Sequence, residues 1–471
     1  MGMKDIYVKI YLFDPVTDEE FFIGDSVSVE IIQLLSYNPA VGINSKILVY
    51  DKKLSCYKAN LKNYEFDNSY YFRVGFMKRN FSKVLNKLIG DEEVNLSILP
   101  SYIPSRIPYW DSGWDDDYES NEFFGDGYLK VNCSKENPIK LRIPLREFYI
   151  IGHRGAPYHY PENTMASFKH ALSIGANALE MDVCFTKDKK LVVFHDAYPT
   201  KHPNQLDRTL FEDLPYELIS PVFMLDGKQA LIMKYKNGKL KQTKKIKLKY
   251  ETDFDIANLT LAKINEYYGY KSVDGEVHGI INFNEFLNFA SSERDRLKLI
   301  FFDVKNPRWD VVKDSKKYAE YGTLLAEAIK QLPELPEHLI ISNPDKDVLK
   351  LIKESFSKSG ENRCSFAFDA EGSFGAYFGV KENPLSIARK MDNEVVSIGS
   401  LARPGNLNEI KESVRDRDYN YKSKIKMVVH WTINEKALMA TSIISGVNGI
   451  ITDKPDLLKK MLMESFKVKV S

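Results

Sequence analysis

Residues 149–196 read YIIGHRGAPYHYPENTMASFKHALSIGANALEMDVCFTKDKKLVVFHD, and this stretch decides the fold of most of the chain. It opens on an apolar, strand-like segment at 149–152, passes through a helical segment after Pro161, and returns to a strand-like segment at 178–183. Apolar strands that alternate with helical segments are typical of βα units around a parallel sheet. The stretch therefore predicts the beginning of an α/β domain.

The same alternation of apolar strand-like segments and helical segments continues to the C-terminus. Candidate strands lie at 149–152, 178–183, 191–194, 299–303, 339–342, 365–368, 395–398, 426–431 and 449–452. A (β/α)8 barrel (TIM barrel) over 148–471 accounts for eight of these nine candidates and leaves one surplus. The strands at 191–194 and 299–303 are too far apart for one ordinary crossover, so we expect an insertion at about 200–280, after strand 3.

A basic segment marks this insertion. Asn237-Gly238 is a strong signal for a hairpin turn. Eight lysines flank it, with no acidic residue among them: Lys234, Lys236, Lys239, Lys241, Lys244, Lys245, Lys247 and Lys249. The pattern predicts a basic β-hairpin, whose lysines either face solvent or form a lid that contacts the substrate. Contact of the hairpin with a membrane surface is the less favoured reading.

Before residue 148 the pattern is different. Short alternating runs rich in β-branched and aromatic residues occur at 6–13, 46–50, 70–76, 128–132 and 139–144. Such runs indicate strands. We therefore expect a separate β-rich domain over 1–147, to which the sequence assigns no role.

Composition and charge indicate which broad class of protein this chain belongs to. The 471 residues are 44% hydrophobic and 28% charged, an ordinary globular balance. The formal net charge of +1 gives no overall attraction to nucleic acid. There is no apolar run long enough to span a membrane and no signal-peptide pattern at the N-terminus, so we expect a cytoplasmic protein without a transmembrane segment.

Polar residues stand where the first two candidate strands end. His153 and Arg154 follow 149–152, and Glu180 and Asp182 belong to 178–183. Side chains two apart on a strand share a face, so both carboxylates point the same way while Met181 points opposite. Adjacent carboxylates repel each other unless a cation separates them, and oxygen ligands suit Mg²⁺ or Ca²⁺.

The next two candidate strands add to the same edge. His195 follows 191–194, while Asp303 and Lys305 share one face at the end of 299–303. Catalytic residues of barrels gather at the carboxyl ends of the strands. The rim thus combines two histidines for proton transfer, three carboxylates for one divalent cation, and Arg154 with Lys305 for a phosphate group.

The order of these motifs resembles that of the glycerophosphodiester phosphodiesterase family over 150–457. The matching segments are HRG at 153–155, PENT at 161–164, ExD at 180–182, HD at 195–196, WTIN at 431–434 and TDKP at 452–455. The resemblance implies a TIM barrel that hydrolyses a small phosphodiester to glycerol 3-phosphate and an alcohol. It implies general acid and base roles for His153 and His195, and metal-ligand roles for Glu180 and Asp182.

Two features depart from the family pattern. The family usually has Glu-x-Lys where this chain has Asp303 and Lys305, so the third metal ligand is one methylene shorter. The Lys-rich insertion is the second departure.

Several interpretations remain open. Trp431 either packs the barrel or walls the substrate pocket, and 161–164 is read chiefly as a helix start. Phospholipase C or lysophospholipase D activity on lipid phosphodiesters, and a non-catalytic barrel that binds phosphate ligands, are the alternative functions.

Overall fold

The computed structural model describes residues 3–13, 20–22, 28–34, 43–62, 69–75, 123–124, 128–132, 138–144, 148–198, 214–219, 222–226, 229–236, 239–247, 252–370, 383–399, 406–419 and 422–465.

The N-terminal part of the chain forms one mostly antiparallel sheet. Its strands are β1 (Met3–Phe13), β2 (Glu20–Phe22), β3 (Ser28–Leu34), β4 (Ile43–Asp51), β5 (Cys56–Lys62), β6 (Ser69–Gly75), β7 (Phe123–Phe124), β8 (Tyr128–Asn132) and β9 (Ile139–Pro144). Alternate residues Ile6, Val8 and Ile10 of β1 are buried, as the period of two requires. The β-rich N-terminal region is confirmed.

Sixteen further strands lie in the described residues after 148. They are β10 (Tyr149–Gly152), β11 (Ala178–Phe185), β12 (Leu191–Val193), β13 (Tyr216–Ile219), β14 (Val222–Asp226), β15 (Gln229–Lys236), β16 (Lys239–Lys247), β17 (Gly269–Ser272), β18 (Val277–Gly279), β19 (Ile281–Asn282), β20 (Leu299–Val304), β21 (His338–Asn343), β22 (Cys364–Ala370), β23 (Val395–Gly399), β24 (Met427–Trp431) and β25 (Gly449–Thr452).

Helices alternate with these strands. Within the described residues they are α1 (Met165–Ile174), α2 (Leu261–Tyr267), α3 (Phe283–Ser292), α4 (Ser315–Lys330), α5 (Lys346–Ser359), α6 (Pro384–Lys390), α7 (Asn406–Tyr419), α8 (Lys436–Ile444) and α9 (Pro455–Ser465). Thr164 caps the N-terminus of α1 by accepting a hydrogen bond from the Ser167 backbone N–H, which confirms a helix start at this point. None of these helices is both long and apolar enough to cross a membrane.

Eight parallel strands close into a barrel. The order around it is β10, β11, β20, β21, β22, β23, β24 and β25, and β25 pairs with β10 to close the ring. Closure places Gly152 of the first strand in register with Thr452 of the last. The predicted (β/α)8 barrel is therefore confirmed, and its first and last strands are neighbours.

The surplus candidate strand is the one at 191–194. In the structure β12 pairs antiparallel with β11, with Val193 opposite Val183, so it lies outside the parallel barrel. Only residues 186–190 separate the two strands, whereas a parallel crossover needs about a dozen residues or more. The reading of 191–194 as a barrel strand was wrong, and the long insertion falls between the second and third strands of the barrel.

The barrel interior is apolar at one end and polar at the other. Its apolar residues are Tyr149, Ile151, Ala178, Leu299, Phe301, Ile340, Ala367, Val395, Met427, Val429 and Ile451. By the period of two, Glu180 and Asp182 follow Ala178 on the inner face, and Asp303 follows Phe301. Met181 packs instead in the outer core between strands and helices. The predicted split between Met181 and its two acidic neighbours is confirmed.

The inserted segment forms two small sheets. One contains β13, β17 and β18, and the other contains β14, β15 and β16. β15 and β16 pair from Gln229 with Lys247 to Lys236 with Lys239, which is the predicted hairpin. A separate core that includes Phe194, Leu218, Ile256 and Tyr270 joins part of this segment to the strands β11 and β12.

Candidate active site

Three carboxylates meet at the carboxyl end of the barrel. Glu180 and Asp182 on β11 and Asp303 on β20 each offer an oxygen, and these oxygens lie within 4.8 Å of one another. β11 pairs with β20 so that Asp182 and Asp303 are direct register partners. The predicted metal ligands are thus brought together, in a geometry that can hold one ion.

Burial and mutual repulsion act on this acidic group. Burial, and then the nearby Asp182 carboxylate, raise the pKa of Glu180 well above its usual value. Burial also raises the pKa of Asp303, against the opposing effect of Lys305. For Asp182 burial works in the same direction, but Lys305, Arg154 and a hydrogen bond from Asn163 together hold its pKa below the usual value. Of the three carboxyl groups, Asp182 is therefore the one whose surroundings lower its pKa on balance and favour the anion.

Two cations lie against the carboxylates. Lys305 Nζ is 2.9 Å from Asp182 Oδ1 and 2.5 Å from Asp303 Oδ2. Burial alone would lower the pKa of Lys305, yet these two acids raise it well above its usual value, so the ammonium stays charged. Arg154 Nε lies 3.1 Å from Asp182 Oδ2, and its Nη1 donates to Glu162 Oε2 at 3.1 Å. Both predicted phosphate-binding residues are in the site.

His153 stands in the turn after β10. Its Nδ1 lies 2.6 Å from Asp453 Oδ1, and its Nε2 lies on the side of the acidic group, 3.9 Å from Glu180 Oε2. The next residue, Arg154, has φ of +51°, and its backbone N–H donates to Glu180 at 2.8 Å. The tight turn therefore ties His153 to β11, the strand that carries Glu180 and Asp182.

His195 reaches the site from the loop after β12. The Phe194 backbone N–H donates to Asp182 O at 3.1 Å, which holds this loop beside β11. His195 Nδ1 lies 3.0 Å from Asp196 Oδ1. Burial, and then the positive charges of Arg154 and Lys305, hold the pKa of His195 well below its usual value. The neutral form of the ring is thus favoured near neutral pH.

Trp431 ends β24 on the inner face of the barrel. It packs against the apolar interior, and its indole Nε1 is buried without a hydrogen-bond partner among the described residues. Packing is therefore part of its role. A contact with substrate stays a prediction.

The structure adds four residues to which the sequence assigned no role. Glu162 pairs with Arg154. Asn163 donates to Asp182 Oδ2 at 2.6 Å and is fully buried with φ of +56°. Asn434 and Asp453 are hydrogen bonded to each other next to His153. All four lie within the motif segments 161–164, 431–434 and 452–455, so position in a motif was the available signal.

Gly155 completes the turn that carries His153. Its φ is +95°, and a Cβ at this position would lie 2.7 Å from the Ser167 carbonyl carbon and would also meet Ser167 Oγ. Gly275, in the turn after β17, has a φ of +89° but no atom within 4 Å of such a Cβ. The two glycines therefore share the backbone constraint and differ in packing.

Gly155→Ala is expected to lower the free energy of unfolding by about 2–5 kcal/mol, because left-handed strain and overpacking add together. The matched control Gly275→Ala is expected to cost only about 1–2 kcal/mol, from the backbone strain. Urea unfolding of both variants measures the difference. Equal losses would show that α1 does not pack tightly on the turn.

Comparison with known proteins places the chain in a family context. Residues 153–457 match the model of the glycerophosphoryl diester phosphodiesterase family, which is well over half of the chain. A glycerophosphodiester phosphodiesterase of Bacillus altitudinis is 46% identical over 68 residues, 14% of this chain and 27% of that protein. The Arabidopsis thaliana glycerophosphodiester phosphodiesterase GDPD2 is 24% identical over 302 residues, 61% of this chain and 76% of that protein.

Structural comparison gives a crystal structure of a putative glycerophosphoryl diester phosphodiesterase from Silicibacter pomeroyi. Its TM-score is 0.48 at 17% identity, covering 68% of this chain and 94% of that chain. The first of the curated relatives, from Bacillus altitudinis, is matched over only about a quarter of its own length, 27%.

Proposed function

The chain belongs to the glycerophosphoryl diester phosphodiesterase family, and from this premise we propose that it hydrolyses glycerophosphodiesters to glycerol 3-phosphate and an alcohol. One observation carries the proposal. Two histidines, each with a carboxylate within hydrogen-bonding distance of Nδ1, belong to the same rim as three clustered carboxylates, the buried Arg154 and the half-buried Lys305. This set suits cleavage of a phosphate diester better than binding alone.

One divalent cation, Mg²⁺ or Ca²⁺, fits the three carboxylates. Their all-oxygen donor set is the kind these ions prefer, and a cation offsets both the burial and the repulsion by Asp182 that raise the pKa of Glu180. Glu180, Asp182 and Asp303 would hold the ion. When bound, it supplies Lewis-acid stabilisation of negative charge on the phosphoryl oxygens.

The cationic side chains act on the same charge. Lys305 stays protonated between Asp182 and Asp303, and Arg154 is held by Glu162 and Asp182, so both present fixed positive charge at the rim. Charge fixed in place before the reaction stabilises a transition state without reorganisation. Arg154 and Lys305 are therefore proposed to orient and neutralise the phosphate group.

His153 and His195 are proposed as the proton-transfer pair. In the reaction that the family resemblance implies, the glycerol 2-hydroxyl attacks phosphorus while one histidine removes its proton. The other histidine protonates the departing alcohol oxygen as the phosphorus–oxygen bond breaks. Water then opens the cyclic phosphate with the two roles reversed, which returns both rings to their starting protonation states.

A substrate panel tests the function and its alternatives. We expect the full chain, with Mg²⁺ or Ca²⁺, to release glycerol 3-phosphate from at least one of glycerophosphocholine, glycerophosphoethanolamine and glycerophosphoinositol, at higher kcat/KM than from any lysophospholipid. Turnover of lysophospholipids alone would replace the proposal with a lysophospholipase D. Binding of glycerol 3-phosphate without turnover of any diester would indicate a non-catalytic barrel.

A further inference from the structure

A chain of hydrogen bonds runs from His153 away from the acidic group. Asp453 Oδ1 lies 2.6 Å from His153 Nδ1, and Asp453 Oδ2 accepts a hydrogen bond of 2.6 Å from Asn434 Nδ2. Asn434 Oδ1 in turn accepts from the Asp453 backbone N–H at 2.9 Å and from the Thr452 hydroxyl at 3.1 Å. Both oxygens of the Asp453 carboxylate are therefore engaged, one by the ring and one by the amide.

The barrel closure brings these residues together. Because Gly152 pairs with Thr452, the residues that follow each strand, His153 and Asp453, lie side by side at the rim. The His153 backbone N–H also donates to Thr452 O at 2.9 Å. Asn434 enters from the loop after β24. Asp453 does not belong to the group of carboxylates that can hold a metal, so the metal proposal does not account for it.

The direction of each hydrogen bond follows from the fixed donors. A backbone N–H can only donate, so Asn434 Oδ1 must face Asp453 N, and the Asn434 amide nitrogen must face the Asp453 carboxylate. Burial tends to raise the pKa of Asp453, but His153 and then the hydrogen bond from Asn434 lower it below its usual value. A carboxylate only accepts, so His153 Nδ1 must carry the proton.

We propose that Asp453 is a positioning residue that keeps the proton on His153 Nδ1 and so presents Nε2 as the nitrogen that exchanges protons with the substrate. Asn434 fixes the Asp453 carboxylate in the orientation this requires. The inference rests on the proposed function, because it assigns His153 to proton transfer. A carboxylate at this nitrogen also stabilises the ring after Nε2 has gained a proton.

Asp453→Asn inverts the hydrogen-bond chain. The Asn434 amide nitrogen still points at position 453, so the new amide turns its oxygen to Asn434 and its NH₂ to His153. The ring must then accept at Nδ1 and carry its proton on Nε2. We expect kcat to fall by about 10- to 100-fold, the effect of losing a hydrogen bond to a charged group, with KM changed by less than about threefold.

Exchange of the two side chains provides the rescue. In the double variant Asn434→Asp/Asp453→Asn, the carboxylate at 434 accepts from the backbone N–H of residue 453, from the Thr452 hydroxyl and from the side-chain amide at 453. The oxygen of that amide then faces His153 Nδ1. We expect this double variant to recover the tautomer and at least about tenfold of the lost kcat. Asp456→Asn, an exposed residue on α9, is the matched control and should leave kcat and KM unchanged.

Two further readouts separate positioning from a purely structural role. If Asp453 acts through His153, Asp453→Asn should add nothing to the loss of kcat in a His153→Ala background. Nitrogen-15 NMR of the wild-type ring, assigned with His153→Ala, should show the proton on Nδ1. This measurement needs no activity and no Asp453 variant, so it decides the tautomer even if Asp453→Asn fails to fold.

Each outcome is decisive. The proposal is overturned if Asp453→Asn keeps kcat within about threefold of the wild-type value. It is also overturned if Asp453→Asn lowers kcat by the same factor in the His153→Ala background as in the wild type. A proton on Nε2 in the wild-type ring overturns it as well. If the wild-type chain turns over no diester while the ring carries its proton on Nδ1, the proposed function fails and the hydrogen-bond assignment stands.

Discussion

Replacing His195 with alanine is expected to lower kcat by about 10²- to 10⁴-fold, the usual contribution of a group that transfers a proton in the transition state. The ring is neutral near neutral pH because burial, Arg154 and Lys305 hold its pKa well below the usual value. Its loss removes one of the two groups proposed to transfer protons while leaving the acidic group in place. Steady-state kinetics on the best substrate of the panel measure the effect.

His153→Ala is expected to have an effect of the same size, since its Nε2 lies on the same side of the rim. His338→Ala is the control. His338 begins β21 at the opposite end of the barrel and should leave kcat unchanged. A His153 or His195 variant that folds and keeps most of its activity on every substrate would remove that ring from the proton-transfer pair.

Removal of divalent cations is expected to lower kcat by about 10³-fold, because Lewis-acid stabilisation contributes several kcal/mol to the transition state. Chelation followed by dialysis gives the metal-free protein, and added Mg²⁺ or Ca²⁺ should restore activity. Asp182→Asn should resist this rescue, since it replaces the carboxylate that Lys305, Arg154 and Asn163 keep ionised.

Glu354→Gln, an exposed residue on α5, is the matched control for loss of an acid and should respond to chelation and rescue as the wild type does. Full activity in excess chelator, together with elemental analysis that finds no bound metal, would exclude a metal from the reaction. In that case Lys305 and Arg154 together would balance the charge of Asp182 and Asp303.

Local periodicity was enough to predict which residues of β11 face the barrel interior. Glu180 and Asp182 alternate with Met181, and a period of two separates them to opposite faces in any strand. The structure confirms this split, with Met181 in the outer core. The same argument placed Asp303 beside Lys305.

Strand direction was harder to predict. The run at 191–194 is too short for its period to reveal whether it is parallel or antiparallel, and the apolar residues fit both. The length of the link at 186–190 does distinguish them, because five residues can form a hairpin but not a crossover. Loop length therefore carried the information that the apolar pattern lacked.

Contacts between residues far apart in the sequence were the hardest to predict. Asp453 lies 300 residues after His153, so no local pattern connects them. Closure of a barrel does make its first and last strands adjacent, and the residues that follow those strands become neighbours. Asn163 was hidden for another reason, since it stands just before the N-cap Thr164 and fits a helix start equally well.

Phosphorus-31 NMR of the full chain with Mg²⁺ or Ca²⁺ and a mixture of glycerophosphocholine, glycerophosphoethanolamine and glycerophosphoinositol is the most direct test of the chemistry. We predict that at least one phosphodiester resonance is replaced by that of glycerol 3-phosphate, and that His195→Ala largely prevents the change. Diester resonances that stay unchanged with folded, metal-loaded protein would contradict the assignment of this rim as a glycerophosphodiesterase site. That assignment would also be contradicted if the product were the phosphorylated head-group alcohol and free glycerol instead of glycerol 3-phosphate.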